Sequence, residues 1–117
     1  TSTGVPRIGN DWGECDPEEP RNRRTRVSVL VESTEGKRIL VDTSSDMRQQ
    51  FLANDIAAID AVFWTHDHAD HCHGIDDLRP LRYGRKAPIP GYGSTETVRR
   101  LRQRFDYVFA GQHGYPT

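Results

Sequence analysis

Thr65-His66-Asp67-His68-Ala69-Asp70-His71 follows directly on the apolar run Ala61-Val62-Phe63-Trp64. A short apolar run of this kind reads as a strand, so the polar stretch falls on the loop at its end. Three imidazoles and two carboxylates stand within these seven positions. Neutral imidazole is the commonest side-chain ligand for a metal ion, and carboxylate oxygen joins it on zinc, manganese or iron. In extended backbone, residues two apart project to the same side. His66 and His68 are therefore expected to reach one ion together. Asp70 and His71 come where the chain should turn, and are expected to face a second ion beside the first. A solvated polar loop would explain the polarity, but not histidines at fixed spacing after a strand. Asp67 points the other way in an extended chain. It is expected in solvent, or behind the ligands, with proton handling as the sharper alternative.

Outward from this loop, strands alternate with helices. Val27-Ser28-Val29-Leu30-Val31 and Arg38-Ile39-Leu40-Val41 read as antiparallel neighbours joined at Glu35-Gly36. Ser44 or Ser45 can cap a helix over 46–53, with Met47 and Phe51 on one face. Ile56 and Ile59 lead into a strand over 61–65. A helix starting near Gly74 should be interrupted by Pro80. Ser94 caps a further helix over 95–105, whose buried stripe is Val98, Leu101 and Phe105. The first nineteen residues are loop-like, with an acidic cluster at Asp11, Glu14, Asp16, Glu18 and Glu19. The alternation predicts an α/β layered architecture, a mixed sheet with flanking helices, in one domain over 1–117.

Composition narrows the class. With 34% apolar and 28% charged residues, the profile is that of a soluble, cytoplasmic protein with no run near membrane-spanning length. A formal net charge of −1 gives no global pull toward nucleic acid, so no stable nucleic-acid complex is expected. Cys15 and Cys72 are too few for a disulfide framework and are expected as reduced thiols.

The spacing His66-x-His68-x-Asp70-His71 resembles the signature of the metallo-β-lactamase fold superfamily. Thr1-Ser2-Thr3-Gly4-Val5-Pro6-Arg7, Leu40-Val41-Asp42-Thr43-Ser44 and His73-Gly74-Ile75-Asp76-Asp77-Leu78-Arg79 resemble one branch, which holds the phosphoribosyl cyclic phosphodiesterase of phosphonate breakdown. The resemblance implies a four-layer αββα sandwich built from two similar halves, of which this chain looks like the N-terminal one. It implies a hydrolase using a metal-bound hydroxide on two divalent ions, zinc or manganese, acting on a small cyclic or nucleotide-like phosphodiester. His66, His68, Asp70 and His71 would be the ligands, with Asp70 taken as catalytic. Asp42 and Asp67 would support them from behind. Remaining ligands would lie in the other half, so this chain alone is expected to bind metal weakly and to lack full activity. A thioester, lactone or RNA substrate is the alternative, and a non-catalytic metal- or nucleotide-binding fragment is another. A half-sandwich would expose one apolar sheet face, which invites a homodimer.

Other candidates rank lower. Thiolate binds zinc well, but Cys72 and His73 are expected as packing or hydrogen-bonding neighbours. His113, in the Gly-rich tail, is left out of the ligand set. Arg21, Arg23, Arg24 and Arg26 form a basic run that is expected to be solvated, unless it folds over the site to grip phosphate.

Overall fold

The computed structural model describes residues 1–111. Four strands form one sheet in the order β1-β2-β3-β4. They are β1 (Val29–Glu32), β2 (Arg38–Val41), β3 (Ala61–Phe63) and β4 (Gly91–Tyr92). β1 and β2 are antiparallel across the Gly36 turn, with Val29 opposite Val41. β2, β3 and β4 run parallel. The mixed α/β sheet with flanking helices is thus the expected architecture.

The helices are α1 (Met47–Ala53), α2 (Ala69–Cys72), α3 (Leu78–Tyr83), α4 (Thr95–Arg104) and α5 (Asp106–Ala110). Side chains alternate across a strand, and here one set is buried. Leu40 and Val62 from the sheet meet Met47 and Phe51 of α1, Cys72 of α2 and Leu101 of α4 in one core. Trp64, Ile59 and Ile75 complete it. The opposite set, Val29, Val31, Ile39, Phe63 and Tyr92, is 43–56% exposed. Among the described residues, no helix is long and apolar enough to cross a membrane.

Several boundaries differ from those predicted, for local reasons. β1 starts two residues after Val27, because side-chain hydrogen bonds occupy the preceding stretch. Asp46 Oδ2 accepts from Arg26 N, and Ser28 Oγ donates to the carbonyls of Val41 and Asp42. β3 stops before Thr65, whose amide donates to the Asp42 carboxylate instead of to a strand. Pro80 does not interrupt a helix. A 3-10 turn over His73–Asp77 precedes α3, so Pro80 falls in the first turn of α3, where a helix has no use for its amide. Ser94 caps α4 as expected, its hydroxyl accepting from Thr97 N at 3.2 Å. On α4, Thr97 and Leu101 are the buried residues, while Val98 and Phe105 are only partly covered.

Candidate metal centre

Asp42 leaves β2 with φ of +64°, a left-handed conformation that few non-glycine residues adopt and that Asp tolerates better than most. The turn carries its carboxylate under the histidine loop, where it is 4% exposed. Oδ1 accepts from Thr65 N at 2.8 Å, and Oδ2 accepts from Thr65 Oγ1 at 2.8 Å. Oδ2 also lies 2.6 Å from His71 Nδ1. An ionised carboxylate can only accept, so the His71 ring donates through Nδ1, and in its neutral form the lone pair is at Nε2.

The same logic passes through Thr65 to His66. Thr65 Oγ1 sits 2.9 Å from His66 Nδ1. Its single hydroxyl proton is given to Asp42. The imidazole must therefore be the donor at Nδ1, and the neutral form of His66 likewise has its lone pair at Nε2. One buried carboxylate thus orients two imidazoles in the tautomer that a metal ligand needs.

The chain brings the four expected ligand residues into one patch. The rings of His66 and His68 are 4.6 Å apart and those of His66 and His71 are 4.1 Å apart, centroid to centroid. Asp70 Oδ2 lies 3.3 Å from His71 Nε2. His66 is therefore nearer to His71 than to His68, and the two expected pairs form one contiguous cluster. An acceptor nitrogen facing an acceptor oxygen calls for a cation or a proton between them. The donors suit a divalent ion in kind. Among the described residues, however, no three of them surround one point closely enough to hold an ion. The patch is an open, partial donor set.

The neighbours fall as follows. Asp67 faces away from the imidazoles, toward α4, with Arg104 Nη1 at 3.2 Å and Arg100 Nη1 at 3.5 Å. Desolvation works to raise its carboxyl, and Arg100 and Arg104 outweigh that, holding it below its ordinary value. Cys72 is fully buried, with Sγ donating to Asp67 O at 3.2 Å. Burial pushes its thiol up, with Arg104 opposing. His73 Nε2 accepts from Arg104 Nη2 at 3.0 Å. Both are packing and hydrogen-bonding neighbours, as expected. His113 lies outside the described residues. The basic run is engaged elsewhere: Arg21 on Glu19, Arg23 over the Trp12 ring, and Arg26 in a two-pronged pair with Asp46 at 2.7 Å. Sequence reading missed Thr65, Thr43 and Arg104. Thr43 Oγ1 donates to Cys72 O at 3.2 Å and accepts from Trp64 Nε1 at 2.9 Å, stitching the β2 exit to α2. No spacing rule signals any of the three.

A layered α/β sheet with an imidazole patch at the exit of a central strand defines the class. A family profile described as the Beta-lactamase superfamily domain matches residues 37–117, and the chain belongs to that family. It is 46% identical to a structure described as a new diphosphatase from the PhnP family, covering 93% of this chain and 44% of that one, with a TM-score of 0.85. It is also similar to Zn(2+)-bound PqqB from Methylobacterium extorquens, 26% identical over 69% of this chain and 28% of the other, with a TM-score of 0.59. An octanoyltransferase from Porphyromonas gingivalis is 42% identical over 116 residues, which is 99% of this chain and 23% of that protein. The chain thus spans less than half the length of each of these relatives.

Proposed function

We propose that the chain is part of a metal-dependent hydrolase whose substrate is a small cyclic or nucleotide-like phosphodiester. His66 and His68 would hold one divalent ion, zinc or manganese, and Asp70 and His71 a second, Asp70 being the catalytic carboxylate. Such ions supply Lewis acidity and lower the pKa of a bound water to about 7. The chain's own part is to orient and protonate. Asp42 keeps the proton on His71 Nδ1, and Thr65 relays the same constraint to His66. Asp67 braces the loop from the α4 side. The observation that carries the metal reading is this buried carboxylate, which makes both His71 and, through Thr65, His66 donate at Nδ1, with His71 Nε2 3.3 Å from Asp70 Oδ2. The likeness to a diphosphatase favours chemistry at phosphorus. The octanoyltransferase likeness covers under a quarter of that protein, so acyl chemistry is the competing arm rather than the reading. Two unpaired thiols, at Cys15 and Cys72, suit a reducing cytoplasmic compartment.

Zinc titration of the 117-residue chain tests the ligand set. Weak uptake, or uptake of one ion, is expected, with loss of that uptake in His66→Ala/His68→Ala. Unchanged stoichiometry in the double variant removes these residues as ligands. Turnover of bis(p-nitrophenyl) phosphate against a thioester, measured on a longer polypeptide containing this chain, separates the substrate classes. Thioester cleavage without phosphodiester cleavage overturns the phosphorus assignment.

A further inference from the structure

The imidazole patch is ordered from the Asp42 side by hydrogen bonds already described. Its other side is held from α4, by Arg100 on Asp67 alone and by Arg104 on both ends of the loop. Arg104, in the last turn of α4, places its guanidinium against the outer surface of the same loop. Nη1 donates to Asp67 O at 2.5 Å and to Asp67 Oδ2 at 3.2 Å, and lies 3.8 Å from Cys72 Sγ. Nη2 donates to His73 Nε2 at 3.0 Å. Cys72 Sγ closes the circuit on Asp67 O. A single planar fork thus joins residue 67, which separates His66 from His68, to residues 72 and 73, which follow His71.

We infer that Arg104 is a positioning residue for the metal-facing loop: it fixes the spacing between the start of the loop and its end. The fork geometry is what matters. Guanidinium offers donors in fixed directions, whereas an ammonium is a point charge on a flexible stem. Charge-assisted bonds to a carboxylate are also the stronger kind. Without the fork, Asp67 keeps a partner in Arg100, but nothing on α4 ties the 67 and 73 ends together. The loop would then lose its register on α4 while the core beneath it, to which α4 contributes Leu101, stays packed.

Amide hydrogen exchange of the metal-free chain tests the clamp without any catalytic readout. Arg104→Ala should speed exchange across residues 66–73 by about tenfold or more, with the core strands unchanged. Arg102→Ala, on the same helix, should leave the loop at the wild-type rate. Arg104→Lys keeps the charge but not the fork, and should resemble Arg104→Ala. Unchanged loop exchange in Arg104→Ala, or wild-type behaviour in Arg104→Lys, overturns the inference. Should Arg104→Ala fail to fold, Arg104→Lys keeps the stem and the charge while removing the fork, and the same local acceleration is expected. Its absence counts equally against the clamp. A second arm rests on the metal reading above: zinc affinity should fall about tenfold in Arg104→Ala, the scale of losing a group that orients a ligand. A wild-type chain that takes up no zinc removes the metal reading, and the exchange result still decides the clamp.

Discussion

At the scale of single residues, the proton on Thr65 carries the most consequence. It commits the hydroxyl to Asp42 and so forces His66 to donate through Nδ1. Thr65→Val keeps the shape and removes that constraint, leaving the Asp42 carboxylate one donor short and the His66 tautomer unspecified. Loss of a partner that orients a ligand typically costs about 10–100-fold in metal affinity. Zinc affinity measured against a chromogenic chelator should fall by that order in Thr65→Val and recover in Thr65→Ser, whose hydroxyl can make the same two bonds. Equal affinities in wild type and Thr65→Val would show that the relay has no hold on the metal. The residues of the patch were legible because imidazole and carboxylate are rare at such density after a strand. Thr65 was not. A threonine beside a histidine is an ordinary neighbour until the left-handed turn at Asp42 delivers a buried carboxylate beneath it, and that turn leaves no mark in spacing.

Elements were more legible than their ends. Both strands of the hairpin, α1 and α4 follow from apolar periodicity and from the Ser94 cap, since burying one stripe or one face is what stabilises them. The ends are decided by side-chain hydrogen bonds from elsewhere in the fold, as at Ser28, Thr65 and Asp46, and these no local pattern encodes. The 3-10 turn at residues 73–77 shows the same limit. Its path is set by contact, because Gly74 runs against the β2 exit, donating to Thr43 O at 3.1 Å. A Cβ at position 74 would lie 2.0 Å from Ser44 O and 3.0 Å from Met47 Cβ. One of those is backbone, which cannot rotate aside. Gly74→Ala should therefore destabilise by at least about 1–3 kcal/mol, the usual cost of overpacking, read as a lowered urea midpoint at constant slope. A midpoint equal to wild type would mean that the 3-10 turn lifts off the β2 exit at no cost, and that this contact does not fix the loop below the patch.

Among the described residues, helices cover one face of the sheet and leave the other half-exposed. Helices seal Leu40 and Val62, while Val29, Val31, Ile39, Phe63 and Tyr92 line the other face in register across all four strands. An apolar surface of this extent is characteristic of a face that meets another layer, and in a two-sheet sandwich such faces pack about 10 Å apart. Each half-exposed aliphatic side chain has on the order of 1 kcal/mol to gain from cover. Several in a row exceed what a surface ion pair could add. The 117-residue chain, prepared by itself, should therefore self-associate through this face, giving a concentration-dependent mass by light scattering. Val31→Lys/Phe63→Lys places a charge on β1 and on β3 at positions already open to solvent, and should return the mass to that of a monomer without lowering the unfolding free energy by more than about 1 kcal/mol. A wild-type chain that stays monomeric at high concentration would show that the face tolerates water, and a double variant that still associates would move the contact to another surface.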